Sequence, residues 1–227
     1  MLRLSARLLL AGQLLYVVVT LFHTGGDANN HPAIFAAYAA SASWTAVHAA
    51  QFGCMVIMLA GLFALFTALD GQAGMPRLAN RMGVAFTTAT LALYGAVLAV
   101  DGVALKQTVN AWASAPDVEK AARFADAEAM RWLEWGTRSY ENFSLGLAVL
   151  VAAAVVRSTG VPRPIAHLMA LSGLTYLTQG WLAGAQGFSP AHTYAIIAVE
   201  ILNVVWMTWL LVFAGRRRLS QSPSSRR

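Results

Sequence analysis

Apolar residues along the chain gather into six blocks, at 5–22, 46–69, 83–105, 139–157, 164–186 and 192–214, separated by shorter polar stretches. A helix of ~20 mainly apolar residues crosses the ~30 Å hydrocarbon layer of a bilayer, and it keeps its backbone hydrogen bonds satisfied there without water. The pattern therefore predicts an all-α fold: a polytopic membrane helix bundle of six transmembrane helices.

Two connections carry helical patterns of their own. Asn30-His31-Pro32 supplies a capping residue and a proline suited to a helix start, which predicts a short interfacial helix to Ala40, with Ser43 opening the next turn. In the longer connection, Ser114-Ala115-Pro116-Asp117-Val118-Glu119 places acids in a first helical turn, where the helix dipole favours them. The helix it starts is expected to run to about Leu133 and to lie on the outer membrane surface. Val118, Ala122, Ala125, Ala129 and Leu133 make its apolar stripe, and Glu119, Lys120, Arg123 and Asp126 its wet face.

Composition supports the membrane reading, with 58% hydrophobic and 11% charged residues and a mean hydropathy of +0.56. The net charge of +6 raises the question of nucleic acid, but its distribution answers it. Eleven of the sixteen basic residues, including Arg3, Arg7, Arg77, Arg81, Arg157, Arg163 and Arg216, fall in alternate connections and at both ends. The positive-inside rule puts all of these in the cytoplasm. The other five, Lys106, Lys120, Arg123, Arg131 and Arg138, belong to the long third connection, where Asp117, Glu119, Asp126, Glu128 and Glu134 offset them. No basic, aromatic-interleaved surface for nucleic acid is present. Residues 1–215 then form the transmembrane domain and 216–227 a disordered basic cytoplasmic tail. The first block is expected to stay in place as a span, because no small-x-small cleavage pattern precedes Gly25.

Ionisable groups are costly in hydrocarbon, which singles out Glu200, about eight residues into the sixth block and roughly 12 Å below its outer end. Asn203 shares its face, and Gln179 in the fifth block reaches a similar depth. Asp101 lies near the outer end of the third block, two turns from Tyr94. Glu134, Arg138 and Glu141 are spaced so that one arginine can neutralise two acids. Four of the five histidines, His23, His31, His48 and His192, fall at the outer side and, with Asp27, are candidate ligands for zinc or a related ion. His48 and His192 are also conceivable axial ligands of a haem, although no c-type attachment sequence exists. The single Cys54 excludes an internal disulfide.

Phosphate-binding glycine loops, nucleophile elbows and HExxH are absent. An enzyme would have to use Glu200 or Asp101 as a proton donor, with Trp181, Tyr176, Tyr194 and Trp206 lining a pocket that stabilises positive charge. Gly180 and Gly184 form a small-xxx-small pair that lets a neighbouring helix approach.

The stretch from Ser144 to Gly184 has a Gly- and Leu-rich fourth block, the turn Val156-Arg157-Ser158-Thr159-Gly160-Val161-Pro162-Arg163-Pro164 and a Gly-interrupted fifth block. In this it resembles a family of uncharacterised six-helix bacterial integral membrane proteins. The resemblance implies a six-helix fold in a bacterial inner membrane, and it transfers no catalytic residue.

The sequence thus points to an N-in, C-in membrane protein with an outward-facing polar pocket for a small or lipid-like ligand. The pocket residues are Glu200, Asn203, Gln179, His48, Glu141, Arg138 and Trp181. The alternatives are an acid–base isomerase or cyclase acting on an isoprenoid-like substrate, with Glu200 and Asp101 as catalytic residues, and an accessory membrane subunit. The lipid bilayer is the one partner the sequence names.

Overall fold

A computed structural model describes residues 1–70 and 75–219, and every regular element among them is helical. The order is α1 (Leu2–Thr20), α2 (His31–Ala40), α3 (Trp44–Ala68), α4 (Met75–Leu98), α5 (Lys106–Ser114), α6 (Asp117–Arg157), α7 (Arg163–Gln186) and α8 (Pro190–Leu219). A π-helical segment, Ala99–Leu105, joins α4 to α5 without a break. The basic tail expected from residue 216 is helical to Leu219, and the rest of it lies outside the described residues.

Five helices are long and apolar enough to cross a membrane: α1, α3, the α4–α5 rod, α6 and α8. The fifth of the six expected spans, α7, has the length but not the composition, since Ser172, Thr175, Thr178 and Gln179 dilute its apolar residues. It is nevertheless an integral part of the bundle. α1 packs on α3 and α8, α3 on α4, α4 on α6, α6 on α7 and α7 on α8, so six helices close into a ring.

Basic residues mark one end of that ring. Arg3 and Arg7 sit at the start of α1, Arg77 and Arg81 at the start of α4, Arg157 and Arg163 flank the α6–α7 turn, and Arg216 falls near the end of α8. The half of the ring nearest them is filled with apolar side chains, including Leu9, Leu62, Phe66, Ala152, Met169 and Leu210. Hydrocarbon solvates such side chains as well as a neighbouring helix does, so close packing rather than expulsion from water must hold this half together. The α6–α7 contact shows how. A Cβ on Gly173 would lie 2.9 Å from the Gly146 carbonyl oxygen, and one on Gly180 would lie 2.8 Å from that of Ser139. Ser139 Oγ uses the resulting proximity to donate to the Gly180 carbonyl at 2.7 Å.

The other half is built differently. α6 is a single 41-residue helix, about 60 Å long at ~1.5 Å per residue and so roughly twice the hydrocarbon thickness. The expected separate surface helix ending near Leu133 is instead the first half of this rod. Its expected apolar stripe is exposed: Val118 is 93% and Leu133 48% accessible, and Ala122, Ala125 and Ala129 are exposed too. The inward face runs at three-four spacing through Phe124, Ala127, Arg131, Glu134, Arg138 and Glu141, then continues into the apolar core at Leu145 and Ala148. Charged residues thus occupy much of the packed face, which a search for apolar positions alone does not find.

The first half of α6 supports a small cap at the end of the ring away from the arginines. Ile34, Phe35 and Tyr38 of α2 pack with Trp44, Leu105, Val109 and Ala127. α2 begins where the sequence predicts, with the Asn30 side chain accepting from the Ala33 amide at 3.4 Å. Its other end is closed by Lys106, whose Nζ donates to the carbonyls of Tyr38 (2.6 Å), Ala39 (2.9 Å) and Ser41 (3.0 Å). A lysine is well suited to this place, because the last carbonyls of a helix lack intrahelical partners and carry partial negative charge.

Candidate functional site

Between the apolar half and the cap lies a cavity of about 610 Å³. Its rim is formed by Gly25 to Ala28 after α1 and by Phe188, Pro190 and Tyr194 around the start of α8. Its walls are unusually charged for the inside of a helical bundle. Asp101, Glu134, Glu141 and Glu200 contribute carboxylates, Asp27 adds one at the rim, and Arg131 and Arg138 contribute guanidinium groups.

The arginines are each committed. Arg131, 1% exposed, donates to Glu134 at 2.6 Å, to the Ala28 carbonyl at 3.0 Å and to the Tyr38 hydroxyl at 3.3 Å. Its guanidinium also lies over the rings of Phe188 and Tyr38, so one side chain ties α6 to both rim segments and to α2. Burial raises the Tyr38 phenol well above its ordinary value, the nearby Arg131 charge opposing this only in part, so the hydroxyl stays protonated. Arg138 pairs with Glu141 at 3.6 Å and lies over the Tyr94 ring. The expectation that Arg138 serves two acids is therefore corrected: Glu134 belongs to Arg131.

Glu200 sits on the opposite wall. Gln13 of α1 donates from Nε2 to the Glu200 carboxylate, while its Oε1 accepts from Asn203 Nδ2 at 2.9 Å. Asn203 also donates to the Tyr176 hydroxyl at 2.8 Å and accepts from Trp206 Nε1 at 3.1 Å. Gln13 thus joins the two residues that the sequence placed on one face of α8. Tyr16 and Tyr176 line the cavity beside Glu200. Gln179 also lines it, with its amide nitrogen donating to the Ala195 carbonyl at 3.2 Å.

Asp101 lies in the π-helical segment, whose irregular hydrogen bonding is a common way to turn a side chain or a carbonyl toward a site. Both are used. The Asp101 carbonyl accepts from Trp44 Nε1 at 3.1 Å, and its carboxylate oxygen Oδ2 lies 3.0 Å from His48 Nε2. Trp44 is 2% exposed, and its indole N–H holds this segment in place. Gly102 lets His48 come close, since a Cβ there would lie 2.9 Å from that of the histidine.

Of the four candidate metal histidines, two come together and two stand apart. His23 stands against His48, with ring centroids 5.1 Å apart, and burial lowers its affinity for a proton. His31 instead faces Glu128 at 2.9 Å and stacks on Phe35. His192 is buried on the cavity wall next to Phe188. Trp181 is 69% exposed, turned away from the cavity, so the aromatic wall expected of it is supplied by Tyr16 and Tyr176. Gln13, Tyr16, Trp44 and Arg131 are the site residues that sequence reasoning passed over.

No protein-family model, curated protein or solved structure matches the chain. The reading of the cavity therefore rests on its own chemistry. Its buried atoms Asp101 Oδ1, Glu141 Oε1 and His192 Nε2 have no hydrogen-bond partner among the described residues, and buried polar groups without partners are uncommon unless something else satisfies them.

Proposed function

We propose that this is an integral membrane protein of six spans with both ends in the cytoplasm, whose outer half holds a pocket for a small solute bearing a positively charged nitrogen. The clustering of Arg3, Arg7, Arg77, Arg81, Arg157, Arg163 and Arg216 at the end opposite the cavity supports the orientation. The ring arrangement supports counting α7 as a span, because it stands between α6 and α8 in the same layer.

One observation carries the ligand class. Of the five carboxylates around the cavity, Asp27 at the rim accepts from the Asn29 amide, Glu134 and Glu141 are each paired with an arginine and Asp101 faces a histidine. Glu200 faces the space with only the neutral Gln13 amide as partner. A carboxylate that shares a cavity with Tyr16 and Tyr176 is suited to an ammonium group, which gains an ion pair and attraction to aromatic rings. A volume of about 610 Å³ falls in the range of small-molecule sites. Acid–base catalysis by Glu200 draws on the same pocket, but nothing in it favours a reaction over binding.

The test is thermal stabilisation of the purified protein by a panel of primary and quaternary amines, set against neutral and anionic analogues of the same shape. Amines are expected to stabilise the wild type and to lose that effect in Glu200→Gln. Equal stabilisation by the neutral analogues, or an undiminished amine effect in Glu200→Gln, would remove the reading.

A further inference from the structure

At the outer end of the ring, His23, His48 and Asp101 come together from the end of α1, the first turns of α3 and the π-helical segment. One potential ligand atom from each lies within 4.8 Å of the other two. The hydrogen bonds around these side chains define which atoms are free. His48 Nδ1 lies 2.7 Å from the Trp44 carbonyl oxygen, which only accepts, so Nδ1 carries a proton and Nε2 of the neutral ring presents a lone pair. That lone pair meets Asp101 Oδ2 at 3.0 Å, and an ionised carboxylate also only accepts. Two acceptors at this distance require a positive centre between them, either a second proton or a cation.

His23 is held in the same manner. Its Nδ1 donates to the Thr24 carbonyl at 3.0 Å, leaving Nε2 as its available donor atom. Anchoring the second ring nitrogen on a carbonyl is the usual way a protein fixes the tautomer and direction of a metal-binding histidine. A separate observation also points to a ligand: the other Asp101 oxygen, Oδ1, is buried and unpartnered. One side of the cluster is apolar, since Trp44 packs on both imidazoles, with centroids 5.1 Å from His23 and 4.5 Å from His48, and Tyr38 packs on Trp44 at 4.2 Å. The nearby Arg131 charge is neutralised by its pairing with Glu134.

We propose that His23, His48 and Asp101 form a site for a divalent transition metal, with zinc the closest chemical match. Two imidazole nitrogens and one carboxylate make a zinc-type donor set with a fourth position left open. Tetrahedral ligands ~2.0–2.1 Å from zinc stand about 3.3 Å from one another, so His48 and Asp101, 3.0 Å apart, are near their working separation, and His23, within 4.8 Å of both, closes on them by at most about 1.5 Å. His23 and Asp101 line the cavity, which directs the open position into it. The site is independent of the amine-binding reading, whose acid, Glu200, belongs to α8.

The test uses untagged protein in detergent, stripped with a chelator and then titrated with zinc chloride and cobalt chloride, with metal content measured after desalting. One equivalent of zinc is expected, and Co²⁺ should give the strong visible bands of a four-coordinate ion. Asp101→Asn and His48→Gln should weaken binding by ~10-fold or more. His23→Gln should do the same while leaving the His48–Asp101 contact in place, which keeps the test valid if the other two variants fail to fold. His31→Gln should bind as the wild type does. Substoichiometric zinc in the wild type, undiminished affinity in His23→Gln, or an equal loss in His31→Gln would overturn the proposal.

Discussion

Arg131 and Glu134, one turn apart on α6, form a 2.6 Å ion pair with side chains 1% and 3% exposed. Both side chains are buried, yet both belong to a connection that the sequence alone assigns to the outer surface. Because the same guanidinium also holds Ala28 and Tyr38, the pair is the fastener between the bundle and its cap. Removing one member leaves a buried charge without compensation, at a cost of about 3–5 kcal/mol, whereas replacing both with apolar residues of similar volume costs far less. Glu134→Leu is therefore expected to lower thermal stability sharply and Arg131→Met/Glu134→Leu to recover most of it, as read by a melting curve in detergent. Equal losses in the single and double variants would mean that the pair does not act as a unit.

Lys106 presents a second fastener. Its three carbonyl contacts end α2, and Lys106→Met keeps the aliphatic stem while deleting all three. Bonds to a charged donor are worth about 1.5–3 kcal/mol each at most, and a partly wet setting brings the sum toward about 2 kcal/mol. Limited proteolysis should then cut the segment around Ser41 several-fold faster than in the wild type, with the rest of the bundle intact. Unchanged cleavage there would show that α2 is held by its aromatic contacts alone.

In the apolar half, the expectation concerns backbone approach. Gly173→Leu must push α7 away from the Gly146 carbonyl and from Leu150, an overpacking cost of about 1–3 kcal/mol. Leu171→Ala, on the exposed side of the same helix, should be close to neutral. Comparable melting temperatures for the two variants would argue against the glycine contact.

These expectations also show what the sequence made legible. An all-helical bundle with long apolar helices, the start of α2 at Asn30, the concentration of histidines and acids at one end, and the neighbourhood of Glu200 and Asn203 were all readable, because each follows from local spacing and from the cost of charge in hydrocarbon. Arg131 and Gln13 were not. Arg131 looks like one of several loop bases, and its burial depends on α6 running unbroken through Gly136, a consequence of packing against α2 and α5. Gln13 lies in an apolar block and gains meaning only when α8 brings Glu200 and Asn203 against it. His48 and Asp101 are 53 residues apart, and only the π-helical segment and Gly102 bring them into contact.

The central claim is that the cavity opens on the face opposite the arginine-rich end, and the protein carries its own probe for it. Cys54, the only cysteine, is 7% exposed and lines the cavity two helical turns below His48. The most direct measurement is labelling of Cys54 in sealed membranes by a small, membrane-impermeant thiol reagent, applied to right-side-out and to inverted vesicles and read by mass spectrometry. Labelling in right-side-out vesicles only is the expected result. Labelling in inverted vesicles only, or in neither preparation until the protein is unfolded, would contradict an outward-facing pocket.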